Sequence, residues 1–170
     1  MSNEINFSTA TAMEIRDGAQ STIVPLEKEV IFTFDKGLPA FEDCKDFIFI
    51  MEKKLQPFIC MQSLEKHDLS FVCVDPFIIT RDDYTVRLQE NVLESMEIKS
   101  KDDIMILAVV TVNADMTKTT ANLMGPIVLN MKTNKAMQVI LEDVDPELVR
   151  YNVWDGISEL EAEQNAVNVG

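Results

Sequence analysis

The 170-residue sequence has one histidine, five glycines and three cysteines, and each scarcity removes a class of chemistry. His67 stands alone in the polar run "LEKHD" and cannot supply a histidine cluster with metal-ligand spacing, so it reads as a solvated loop residue. With so few glycines there is no GxGxxG, GxxxxGK[ST] or GxSxG, and HExxH is absent too. Cys44, Cys60 and Cys73 are odd in number and form no CxxC pair, which argues against a disulfide framework or zinc site and for reduced thiols packed as small hydrophobes. Basic residues are outnumbered, 15 Lys and Arg against 29 Asp and Glu, and a net charge of −14 opposes binding to a phosphate backbone. No direct contact with nucleic acid is expected. The longest apolar run, Ile104 to Val112, is about half of the roughly 20 residues a membrane helix needs. The opening "MSNEINFSTATAMEIRDG" has neither a basic n-region nor an apolar h-region, so no secretory signal is read and a cytoplasmic protein is expected.

The acidic pairs Asp82-Asp83 and Asp102-Asp103 have no third acid at ligand spacing and read as solvated turns before strands. No catalytic residue, metal or cofactor is indicated.

What the chain does have is a series of short runs rich in β-branched and aromatic residues, each closed by turn chemistry. They are Glu29–Phe34, Asp46–Met51, Pro57–Gln62, Leu69–Val74, Tyr84–Gln89, Asp103–Val112, Gly125–Asn130 and Met137–Leu141. Asn91 with Glu94 resembles a capping box, and Val92, Leu93 and Met96 lie one turn apart, which predicts a short helix between strands. Asp145 is a good N-cap, Pro146 suits the first helical position, and Val149, Val153 and Trp154 share a face until Asp155-Gly156. Three regions follow: a polar, disordered lead over residues 1–21, a β domain over 22–142, and an acidic, partly helical tail over 143–170. That tail holds seven acids against one base.

"FIFI", "FVCV" and "IMILAVV" are apolar at odd and even positions alike, so these strands show no water face. Either a barrel closes around one face while edges and loops cover the other, or apolar surface stays exposed as a contact site.

Three stretches then line up. "FDKGLPAFEDCKDFIFI", "LSFVCVDPF" and "TTANLMGPIVLN" followed by "QVIL" together resemble the FliW family of bacterial flagellar assembly factors, in order and spacing, over about residues 22–142. The matching positions include Phe34, Gly37, Leu38, Pro39, Phe41 and Glu42, then Asp75, Pro76 and Phe77, then Thr120, Ala121, Asn122, Pro126 and Asn130. Ala40 departs from the pattern, standing where a glycine is common.

The resemblance implies an all-β fold, a small, strongly bent antiparallel β-barrel with one short helix, and a non-enzymatic cytoplasmic protein without cofactor that is a monomer when free. It further implies two partners: flagellin, through its C-terminal segment, and the RNA-binding translational regulator CsrA, whose repression of flagellin synthesis the factor relieves. A dedicated flagellin export chaperone without a regulatory partner is the alternative. Gly37, Pro39 and Pro126 are expected to shape backbone, with Met124-Gly125-Pro126 as a bend that frees the following strand from needing the missing N–H. Asp75 and Asn122, expected to be exposed, are the contact candidates, with Phe41 and Glu42 beside them.

Overall fold

The computed structural model describes residues 12–15, 30–81 and 83–169. Seven strands close a ring: β7 (Ile104–Thr111), β5 (Ser70–Val74), β4 (Ile59–Ser63), β3 (Asp46–Ile50), β2 (Ile31–Phe34), β10 (Lys135–Gln138) and β9 (Ile127–Asn130), with β9 returning to β7. Every neighbouring pair is antiparallel except β2 and β10, which run parallel. Two short strands, β8 (Thr120–Ala121) and β11 (Tyr151–Asn152), continue the sheet outward from β7.

Strand alternation sorts the apolar runs into two cores. Phe32, Phe34, Phe47, Phe49, Met61, Cys73, Leu107, Ile127 and Leu129 meet inside the barrel. Phe32 packs edge-on to Phe49 and Phe34 edge-on to Phe47, with ring centroids 5.4 and 5.3 Å apart. The residues between them point outward, and on β5, β7 and β9 these are apolar as well: Val74, Ile104, Ile106, Ala108, Val110 and Val128 belong to a second core. That core is covered by a ribbon of β1 (Ala12–Ile15) and β6 (Val86–Gln89) and by three helices, α1 (Pro76–Ile79), α2 (Glu90–Ser95) and α3 (Val153–Val169). The double-sided apolar pattern therefore has two answers. Around β7 the second face is buried; on β2, β3 and β4 it is not.

Several elements differ from the sequence reading. Most of the lead, residues 1–11 and 16–21, lies outside the described residues, but Ala12–Ile15 is a strand rather than disordered, because Met13 and Ile15 are buried against the second core. α2 begins at Glu90, and its N-cap is Gln89 without a side-chain bond, so the Asn91–Glu94 capping box does not form. Asp145 does cap, its carboxylate accepting the Glu147 N–H at 2.9 Å, but what it starts is a 3-10 turn over Pro146–Arg150. The helix proper is α3, and it runs through Asp155-Gly156 rather than stopping there. Gly156 makes this possible: a Cβ there would meet the Ile79 carbonyl oxygen at 2.2 Å, so its absence lets α3 lie directly on α1. Arg81 ties the same contact, bonding Glu159 at 3.1 Å and also Glu163.

Candidate functional site

The first motif forms a loop rather than a turn. After Phe34 the chain bends through Asp35-Lys36-Gly37, with Gly37 at φ +64°, a conformation glycine adopts freely. A Cβ on Gly37 would lie 2.6 Å from the Glu42 carbonyl oxygen. Leu38 then bridges to Phe41, whose N–H donates to the Leu38 carbonyl at 2.8 Å, and Leu38 and Cys44 are buried at the barrel end. Phe41 is half-buried, edge-on to Phe71 at 5.6 Å. Glu42 is exposed and accepts the Ala40 N–H at 3.2 Å. Ala40 sits at φ +70°, the conformation that the missing glycine would adopt without strain.

This loop is one wall of a groove of about 480 Å³. Phe34, Gly37, Leu38, Pro39 and Glu42 line it, facing Ala136, Met137 and Gln138 of β10, with Ser95 and Met96 at the end of α2 closing a third side. Two ties hold the walls in place. The Asn130 side-chain amide donates to the carbonyls of Met96 (2.9 Å) and Glu97 (3.2 Å), satisfying the end of α2 from β9. The Gln138 amide donates to the Gly125 carbonyl at 3.0 Å. At the rim Lys135 sits between Asp35 (3.6 Å) and Glu97 (3.5 Å).

The other motif residues lie elsewhere. Asn122 is half-buried, and its carboxamide oxygen accepts the N–H groups of Met124 and Gly125 at 3.0 Å each, holding the bend before Pro126. Pro126 needs no N–H: its carbonyl accepts from Val139 at 2.9 Å, and β9 starts one residue later. Thr120 and Ala121 are β8 itself. Asp75, expected to be exposed, is instead 4% exposed. Its carboxylate caps α1, accepting the Phe77 N–H at 2.8 Å, and the packing of Pro76 and Phe77 buries it. Phe77 contacts the Tyr84 ring at 5.5 Å, and the Tyr84 hydroxyl donates to the Leu123 carbonyl at 2.5 Å, so the second and third motifs meet in the outer core. Burial there pushes the Tyr84 phenol well above its ordinary pKa. Asp75 and Asn122 thus do not join Glu42 and Pro39 at the groove.

A second surface is apolar and open. On the outer face of β2, β3 and β4, Ile31 is 46% exposed and pairs with half-buried Ile48, and Ile50 pairs with half-buried Cys60. Leu64 is 40% exposed just past β4. Beside it Glu65 bridges two strands' ends by accepting the N–H groups of Lys45 (3.1 Å) and Asp46 (3.0 Å). Slight burial opposes ionisation, but these bonds outweigh it and hold the carboxyl below its usual range. The thiol of Cys73 is pushed up by burial, with Cys60 adding to the effect. Among the described residues no His, Cys, Asp and Glu group is arranged to hold a metal ion. No described helix is long and apolar enough to cross a membrane.

A sequence model of the FliW protein family matches residues 17–153. The chain belongs to the FliW family. Curated FliW proteins, each described as a flagellar assembly factor, share the similarity. That of Caldicellulosiruptor saccharolyticus is 34% identical over 132 residues, 78% of this chain and 84% of the relative. That of Bacillus pumilus is 36% identical over 120 residues, 71% and 83% of the two chains. The FliW of Treponema pallidum is 39% identical over 116 residues, 68% and 76%. A crystal structure of the flagellar assembly factor FliW superimposes with a TM-score of 0.65 at 32% identity, covering 72% of this chain and 84% of that one. The FliW match stops at Val153, so nearly all of α3 lies beyond it.

Proposed function

We propose that this FliW-family chain works by binding rather than by catalysis, as a cytoplasmic partner of two proteins: flagellin, through its C-terminal segment, and a CsrA-type regulator. Binding the regulator relieves its repression of flagellin translation, and accumulating flagellin draws the factor away, so flagellin level feeds back on its synthesis. The observation that carries the reading is the outer face of β2, β3 and β4, where among the described residues Ile31 is exposed and Ile48, Ile50 and Cys60 are only half-buried, on a chain with a net charge of −14. An amphipathic segment without its assembly partner suits such a face, since burying apolar area on both sides removes it from water. An RNA-binding regulator presents a basic surface, and the acidic field of this chain draws it in while opposing phosphate.

Calorimetry tests both halves. Flagellin lacking its C-terminal segment is expected to give no binding heat, and Ile48→Lys to weaken full-length flagellin at least tenfold. Regulator affinity is expected to fall steeply with added salt and flagellin affinity only slightly, because apolar burial is not screened. Equal salt slopes, or unchanged binding of the truncated flagellin, would refute the reading.

A further inference from the structure

We propose that the groove between the first motif and β10 binds an extended peptide, which adds to the open edge of β10 and carries an apolar side chain flanked by Lys or Arg. Hydrogen-bond direction along β10 is the basis. The N–H groups of Val139 and Leu141 donate to Pro126 (2.9 Å) and Met124 (2.8 Å), so odd-numbered residues here bond toward β9. In an antiparallel pair the residues between them turn their N–H and C=O the other way. Ala136 faces β2 and pairs with Phe34, the last residue of that strand. Two residues on, Gln138 faces the same side, but β2 has ended and the chain has turned away through Gly37. Among the described residues no backbone group bonds to that edge of Gln138. It opens instead into the groove that Gln138 lines.

The cavity matches such an occupant in size, surface and charge. Its volume, about 480 Å³, falls in the range of peptide and small-ligand clefts. Phe34, Leu38, Met96, Ala136 and Met137 give an apolar floor for one side chain, while the exposed edge supplies direction and register. Asp35 and Glu42 on the lining and Glu97 at the rim outnumber Lys36 and Lys135, and Lys135 is already engaged by two of those acids. A basic flank is therefore favoured over an acidic one. The site is separate from the outer face of β2, β3 and β4, and it does not depend on which protein carries the peptide.

The probe is a fluorescein-labelled pentapeptide, Lys-Val-Lys-Val-Lys-amide, titrated with the full chain and read by fluorescence anisotropy. Saturable binding is expected, together with slowed hydrogen exchange at the Gln138 amide. N-methylation of the central residue blocks its main-chain hydrogen bond and is expected to weaken binding at least tenfold on the unaltered protein. Ser95→Trp, at an exposed lining position, is expected to do the same by filling the groove. Ile48→Lys is expected to leave the affinity unchanged. No saturable binding at millimolar protein, equal affinity for the N-methylated peptide, or equal affinity for the Glu-Val-Glu-Val-Glu analogue would each overturn the proposal.

Discussion

Replacing Ala40 by glycine is expected to stabilise this protein, against the usual direction of an alanine-to-glycine change. Alanine at φ +70° holds its Cβ too close to the following carbonyl, which costs about 1–2 kcal/mol. Glycine removes that cost but makes the unfolded chain freer, which takes back about 0.4–1 kcal/mol. Nothing else is lost: Ala40 is exposed, and its N–H donates to Glu42 through the main chain, which glycine keeps. The net gain is centred on about 0.8 kcal/mol, between limits of about 0 and 1.6, or about 2–3 °C in Tm for a domain of this size. Urea denaturation followed by circular dichroism should show a higher midpoint with an unchanged slope. The neighbouring Gly37→Ala serves as the opposite control. It places a side chain at φ +64° and a Cβ 2.6 Å from the Glu42 carbonyl, and it should lose about 2 kcal/mol or more. An Ala40→Gly protein no more stable than its parent would show that the loop does not hold the strained conformation, and the reasoning would fail.

Three further outcomes are expected. Gly156→Ala should unseat α3 from α1, because its Cβ would sit 2.2 Å from the Ile79 carbonyl, and faster proteolysis after Arg81 together with a loss of about 2–4 kcal/mol in urea melts checks this. Asn130→Ala should cost about 1–3 kcal/mol by stripping the Met96 and Glu97 carbonyls of their donor and the Lys132 and Thr133 N–H groups of their acceptor, whereas Asn130→Asp, which keeps the acceptor but sets a carboxylate oxygen against the two carbonyls, should still lose stability in the same melts. Glu65 has a folded pKa below its unfolded one, so the stability it adds is present above the unfolded value and is lost as pH falls through the folded value; Glu65→Gln should flatten the acid limb of a stability-against-pH curve and leave the limb above neutrality unchanged.

The barrel was legible where a residue type dictates backbone. Asn122 before Met124-Gly125-Pro126 announced a held bend, and the structure shows its carboxamide oxygen on two N–H groups. The alternation of Tyr84, Val86 and Leu88 announced a one-faced strand, and all three are buried. What failed was whatever a distant partner decides. β1 is four residues with only Met13 and Ile15 to mark it, and it is a strand because β6 and the second core are there to receive it. Asp75 before Pro76 has the chemistry of an exposed turn and of a helix cap alike, and only the packing of α1 buries it. The groove was half visible: Phe34 to Glu42 stood out, and Met96 and Gln138 fell within a predicted helix and the "QVIL" stretch, but Ser95 carried no signal and nothing local showed that these remote segments meet the first motif. Its one long-range clue was Asn130, a polar residue closing an apolar run, whose amide reaches back to the end of α2.

β7 is walled in on both sides, its odd residues Met105, Leu107 and Val109 packing into the barrel and its even residues Ile104, Ile106, Ala108 and Val110 into the outer layer. Such a strand has no neutral position until Thr111, since any polar change wounds one core or the other. The ribbon and helices cannot peel off and leave an intact barrel behind, for that would wet an entire flank of the shared strand. Melting should accordingly be a single event, and sequence drift in this chain should fall on its rim loops and last helix while the central strand stays fixed.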